Sequence, residues 1–128
     1  MLESLKLTYY DRREMKKLII NISVKGGQIY HTVSDAIMKN DMTKDKEAYY
    51  MSTSWLKKFA ALEIDSWERR YKNETGTKDF VEWQIDYKYM GELKKNIYGI
   101  NMTPPKWDEF IDLIFEVAPE SGIKERLS

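Results

Sequence analysis

Between Val81 and Lys88 apolar and polar side chains alternate strictly, the period of a half-buried strand. Val81, Trp83, Ile85 and Tyr87 share one face. Gly91 marks a turn, and Leu93 to Tyr98 runs back as a second strand. A three-residue loop, Tyr89-Met90-Gly91, suits Gly91 because the left-handed position closing such a loop is best filled without a Cβ. That loop sets Lys88 opposite Glu92, Tyr87 opposite Leu93 and Trp83 opposite Ile97, with Lys95 opposite Ile85 as its flaw. A two-residue loop would set Trp83 opposite Tyr98 and Tyr87 opposite Lys94, which buries less on one face. The chain then leaves the sheet after Gly99. Thr103 is the expected helix N-cap with Pro104 in the first turn, and Asp108 and Glu109 complement the positive helix end. Trp107, Phe110, Ile111, Ile114 and Val117 form an apolar stripe at helical spacing, and Pro119 and Gly122 end it.

Upstream, residues 3 to 10 alternate Leu5, Leu7 and Tyr9 with Lys6, Thr8 and Tyr10 and predict a first strand. Leu18, Ile20, Ile22 and Val24 share one face of a second strand. Gly26-Gly27 is a two-residue hairpin signal, and Gln28 to Ser34 returns. This register puts Val24 opposite Ile29, Ile22 opposite His31 and Ile20 opposite Val33. A polar loop is expected over about 36–50, with Ala48-Tyr49-Tyr50-Met51 as a short strand or a packed entry to the next helix. Ser52-Thr53-Ser54 caps a helix bearing Trp55, Leu56, Phe59, Ala60 and Leu62. A shorter helical segment from Asp65 or Ser66 would place Trp67 and Tyr71 four apart. Asn73 to Lys78 reads as a loop, and about 119–128 as a C-terminal tail.

Trp67-x-x-x-Tyr71, the Trp83 strand and Gly99-x-Asn101-x-x-Pro104-Pro105-x-Trp107 together resemble a set of small uncharacterised bacterial proteins laid out as hairpin, helix, hairpin, helix. The resemblance covers roughly residues 52 to 113. Where that set carries Asp-Gly before the Trp strand, this chain has Thr75-Gly76-Thr77-Lys78-Asp79. The resemblance implies a fold and no activity.

Composition narrows the function classes. The 21 basic and 21 acidic residues cancel, which argues against attachment to nucleic acid by bulk charge. The chain has no cysteine, so disulfides and thiolate metal sites are excluded. The first residues lack the apolar core of a signal peptide, and no run is long enough to span a membrane. A soluble, cytoplasmic protein is the expectation.

Candidate chemistry is sparse. His31 is the only histidine and lies by register on the apolar hairpin face, with no nucleophile or second ligand at a recognisable spacing. Glu82 and Asp86 share a strand face, as many solvated pairs do. Asp41, Asp45 and Glu47 lack the spacing and glycine of an EF-hand loop. Gly26-Gly27 precedes a strand, not a phosphate-binding helix. Lys57-Lys58 and Arg69-Arg70-Lys72 are interleaved with Glu63, Asp65, Glu68 and Glu74, the signature of a mixed-charge surface.

The reading is one α+β domain spanning residues 1–128: an antiparallel sheet of four to five strands with two main helices packed on one face. The expected core comprises Leu18, Ile20, Ile22, Val24, Val33, Trp55, Phe59, Leu62, Trp67, Val81, Trp83, Ile85, Ile97, Trp107, Phe110, Ile111 and Ile114. Functionally the expectation is a non-enzymatic module that binds another protein as an inhibitor, immunity factor or adaptor, with no cofactor and no metal. The binding surface is placed on the uncovered sheet face, with Tyr30, Thr32, Gln84 and Tyr98 as candidate contacts. Nucleic-acid binding through a mixed basic helix surface and a carboxylate-dependent enzyme are the alternatives, and self-association as a homodimer stays open.

Overall fold

A computed structural model of the chain describes residues 1–12, 14–35, 46–48, 52–72 and 81–123. Residues 36–45, 49–51, 73–80 and 124–128 lie outside them, and with them most of the loop expected over about 36–50 and all of that expected over 73–78. The strands are β1 (Leu2–Asp11), β2 (Lys16–Lys25), β3 (Gln28–Asp35), β4 (Lys46–Ala48), β5 (Arg70–Lys72), β6 (Val81–Tyr89) and β7 (Lys95–Ile100); the helices are α1 (Ser52–Ala61) and α2 (Trp107–Val117).

The class is α+β, but the sheet is larger than expected and is mixed. Seven strands run in the order β4-β3-β2-β1-β6-β7-β5. All neighbours are antiparallel except β5, which lies parallel to β7 and pairs Tyr71 with Gly99. The sequence reading missed β5 and touched β4 only at Ala48, because each edge strand is three residues long. Strands that short leave no alternation to detect. β4 occupies the end of the polar stretch expected as a loop and shares Ala48 with the Ala48–Met51 segment expected as a short strand or a packed helix entry. β5 replaces the expected short helix: a 3-10 turn at Ile64–Ser66 gives way to extended backbone at Trp67. Trp67 and Tyr71 are nevertheless both buried.

β1 lies at the centre of the sheet, paired with β2 on one side and β6 on the other. Its apolar residues face the core in register with both neighbours: Leu5 with Ile22 and Tyr87, Leu7 with Ile20 and Ile85, Tyr9 with Leu18 and Trp83. The β2–β3 register is the expected one, with Val24 opposite Ile29 and Ile22 opposite His31. The β6–β7 register differs by two residues. Ile85 pairs with Ile97, Trp83 with Gly99 and Tyr87 with Lys95. The turn is longer than three residues, running from Met90 through Lys94, and Leu93 stands out from it 88% exposed. A shift of two keeps every side chain on its expected face. It also removes Lys95 from opposite Ile85 and sets Gly99 under the Trp83 indole, where a Cβ would lie 2.3 Å from Cε2. That close approach selects the register.

α2 starts later than expected. Pro104 to Lys106 forms a lead-in turn, Trp107 N–H donates to the Pro104 carbonyl at 3.1 Å, and Lys106 rather than Thr103 holds the cap position without a side-chain bond. Asn101 takes the left-handed conformation (φ 53°), and its Oδ1 accepts from Val81 N–H at 2.9 Å. The side chain thus extends the β6–β7 ladder by one rung as the chain turns away.

Both helices pack on one face of the sheet. Trp83 meets Trp107 with ring centroids 4.7 Å apart, and Trp107 and Trp67 both contact Phe110. Trp55 Nε1 donates to the Leu113 carbonyl at 2.9 Å, which joins α1 to α2. Every expected core residue is buried except Val24, Val33 and Val81, which pack at its margin. The supposed tail is part of the core at its start: Ser121 and Ile123 are buried, as is Ala118 just before it, and Pro119–Ser121 forms a 3-10 turn.

Candidate functional site: the open sheet face

No described helix covers the second face of the sheet. The registers arrange it as parallel rungs. One runs Lys17, Tyr10, Glu82, Ile100, Lys72 across β2, β1, β6, β7 and β5. The next runs Ile19, Thr8, Gln84, Tyr98, Arg70 over the same strands. A third begins on β3 with Thr32 and continues through Asn21, Lys6, Asp86 and Asn96. Tyr30, Ser23, Ser4 and Lys88 form a fourth. Polar side chains occupy alternate positions because the other set is consumed by the core.

All four candidate contacts lie on this face, but in two groups. Tyr30 and Thr32 line a hollow of about 220 Å³ with Ser4, Lys6, Asn21, Asp86 and Lys94. Gln84 and Tyr98 line a wider one of about 430 Å³ with Thr8, Tyr10, Arg12, Lys17 and Glu82. Gln84 is engaged within the sheet: its Nε2 donates to both carboxylate oxygens of Asp86 at 3.0 and 3.2 Å, and Asn96 Nδ2 donates to Asp86 at 2.9 Å. Each tyrosine of the wider hollow has a guanidinium over its ring, Arg12 at 5.9 Å from Tyr10 and Arg70 at 5.7 Å from Tyr98. The Tyr98 phenol is held above its ordinary pKa by burial and by the Glu82 carboxylate, with Arg70 opposing. The sequence reading missed Tyr10, Lys17 and Arg70 as neighbours of Tyr98. The alternation of Lys6, Thr8 and Tyr10 placed them on a polar face, but nothing local said that this strand would lie beside β6.

The other singled-out residues serve the core or scatter. His31 is buried and its Nε2 contacts the Glu120 carboxylate, fastening the segment after α2 to β3. Lys58 pairs with Glu116 at 2.9 Å. Arg69 turns inward, donating to Tyr87 Oη at 2.9 Å and to the carbonyls of Ile64 and Trp67 at 2.9 and 2.8 Å. Arg70 and Lys72 stand on β5, so the cations expected to share a helix surface do not share one. Glu82 and Asp86 face the same side with Gln84 between them. No three His, Asp or Glu among the described residues converge as metal ligands, and no described helix is long and apolar enough to cross a membrane.

A second polar cluster closes one end of the covered face. Tyr87 Oη donates to Asp65 Oδ1 at 2.7 Å, and Lys95 Nζ donates to the same oxygen at 3.2 Å while lying 5.0 Å from the Tyr89 ring centroid. Burial alone would raise the Asp65 pKa, but the bonds from Tyr87 and Lys95 and the charges of Lys95 and Arg69 hold it below the ordinary value. Tyr87 is pushed up, first by burial and then by Asp65. Burial opposes the charge on Lys95, yet Asp65 and Glu92 raise its pKa. A depressed carboxyl contributes stability above the unfolded value of about 4 and loses it as pH falls through the folded one. A raised Lys and a raised Tyr contribute below about 10 and lose it as pH rises through their folded values. The cluster therefore stabilises between these limits. Asp65→Asn should flatten the acid side of a stability–pH profile by no more than about 1 kcal/mol, since the carboxylate is half exposed. An acid limb of unchanged steepness in urea titrations would assign the loss to other carboxylates.

No family model, curated protein or solved structure matches this chain.

Proposed function

We propose that the chain is a non-enzymatic module that binds another protein through the open face of its sheet. One observation carries the reading. Three tyrosines, Tyr10, Tyr30 and Tyr98, stand half-buried on a broad, mainly polar face, shared with Ile19 and Ile100, that no described element covers. Tyrosine supplies large contact area at low entropic cost, and a wide sheet surface presents it on a rigid frame. The carboxylates do not favour an acid/base site: Asp86 is satisfied by Gln84 and Asn96, and the hollows lie open to solvent rather than enclosing a substrate.

The test is affinity purification from the native host with the wild-type chain and the double variant Tyr30→Glu/Tyr98→Glu. The variant should keep its melting temperature and lose the captured protein. Capture unaffected by the substitutions would move the interface to another surface, and recovery of nucleic acid alone would replace the reading.

A further inference from the structure

Charge is distributed unevenly over the open face. At the end formed by Lys6, Asp86 and Asn96, Lys6 lies directly opposite Asp86 and Lys88 is matched by Glu3, which leaves Lys94 in excess beside the smaller hollow. At the Tyr10–Tyr98 end the two rungs carry Lys17, Arg70 and Lys72 against one carboxylate, Glu82. Arg70 is exposed, and its hydrogen-bond acceptors there are neutral, the Arg69 carbonyl at 3.0 Å and Asn96 Oδ1 at 3.4 Å. Lys17 is exposed and pairs with no carboxylate among the described residues. Between these cations lies the wider hollow, floored by Thr8 and Gln84 and walled by the two tyrosines.

From this asymmetry we infer that the Tyr10–Tyr98 hollow is the docking site for an acidic segment of a partner protein. The inference rests on the protein-binding reading and specifies its chemistry. Carboxylates of the partner lie against Lys17 and Arg70 on opposite sides of the hollow, and an apolar side chain between them settles against the edges of the tyrosine rings. Guanidinium–carboxylate bonds are directional and bidentate, and Arg70 is already positioned by its contact with the Tyr98 ring. Two features disfavour a nucleic-acid strand in the same place. Glu82 stands between the tyrosines, where a continuous phosphate backbone would meet it. The arginines also cover ring faces that stacked bases would need.

The experiment is a titration of the isotopically labelled full chain, followed by amide NMR, with a short peptide of Asp and Glu interspersed with Leu. Parallel titrations use the same peptide with Gln for every acid, the same peptide with Lys, and oligothymidylate. The acidic peptide should perturb β1, β2, β5 and β7 around Tyr10, Lys17, Arg70 and Tyr98. Its affinity should fall at least about tenfold in Lys17→Glu/Arg70→Glu and weaken with added salt, as expected for exposed charges. Both substituted positions are exposed, so the variant's unchanged amide spectrum elsewhere reports an intact fold. Absence of acidic-peptide binding, or binding away from the hollow, overturns the inference. Equal binding of the Gln or Lys peptide at the hollow overturns the acidic preference while leaving the protein-binding reading standing. Preference for oligothymidylate at the hollow overturns both.

Discussion

Trp107→Ala is expected to cost about 3–5 kcal/mol, a large part of the stability of a domain this size. Trp107 is the first residue of α2 and 7% exposed. Its ring bridges the sheet and the helix, lying 4.7 Å from the Trp83 centroid and 5.7 Å from that of Phe110. Truncation would empty the junction between β6 and α2, and the neighbouring aromatics are held by their own contacts and collapse into the gap only in part. Trp83 is fixed by the bond from Nε1 to the Met102 carbonyl at 2.8 Å. Equilibrium denaturation in urea measures the change. A midpoint within experimental error of wild type would mean that α2 is anchored without this ring.

Gly99→Ala is the second large effect, expected to destabilise by about 1–3 kcal/mol or more through overpacking. The added methyl carbon would lie 2.3 to 2.5 Å from three atoms of the Trp83 indole. The indole is a poor candidate to yield, since Tyr71 packs near it at 5.9 Å, Trp107 at 4.7 Å, and its N–H is bonded. Gly99 also pairs with Tyr71 of β5 and Trp83 of β6, so backbone displacement would disturb two ladders. The companion variant Trp83→Phe/Gly99→Ala, with a smaller ring over the new methyl, should recover part of the loss. A Gly99→Ala chain as stable as wild type would contradict the packing described.

What the sequence made legible follows the range of each signal. Alternation from Val81 to Lys88 and from Leu18 to Val24 identified strands and faces, and Gly26-Gly27 set the β2–β3 register, since a two-residue turn fixes register locally. The β6–β7 register was missed because Gly91 suggested a shorter turn, while the deciding contact, Gly99 beneath Trp83, belongs to the far end of the hairpin. β5 was read as helical because Trp67 and Tyr71 are four apart. Both are buried, but one precedes the strand and the other sits on it. For the open face, alternation and register were enough to put Tyr30, Thr32, Gln84 and Tyr98 on the side away from the helices. Their division into two hollows, and the cations beside Tyr98, depend on β1 entering between β2 and β6, a pairing distant in sequence for which no local pattern exists.

That central position of β1 bears on how the chain acquires its structure. β1, β2 and β3 form a meander that is ready to pair as soon as residues 2 to 35 have been synthesised. Leu5 then waits for Tyr87 and Leu7 for Ile85, with α1 and β5 made in between. Until β6 arrives, the ten residues of β1 expose one unpaired edge whose inward face is apolar. Such an edge is a template for the wrong strand from a second nascent chain. Closing the sheet across that separation carries the entropic cost of a long loop, so the β1–β6 ladder is the pairing for which misassembly has the longest time to compete.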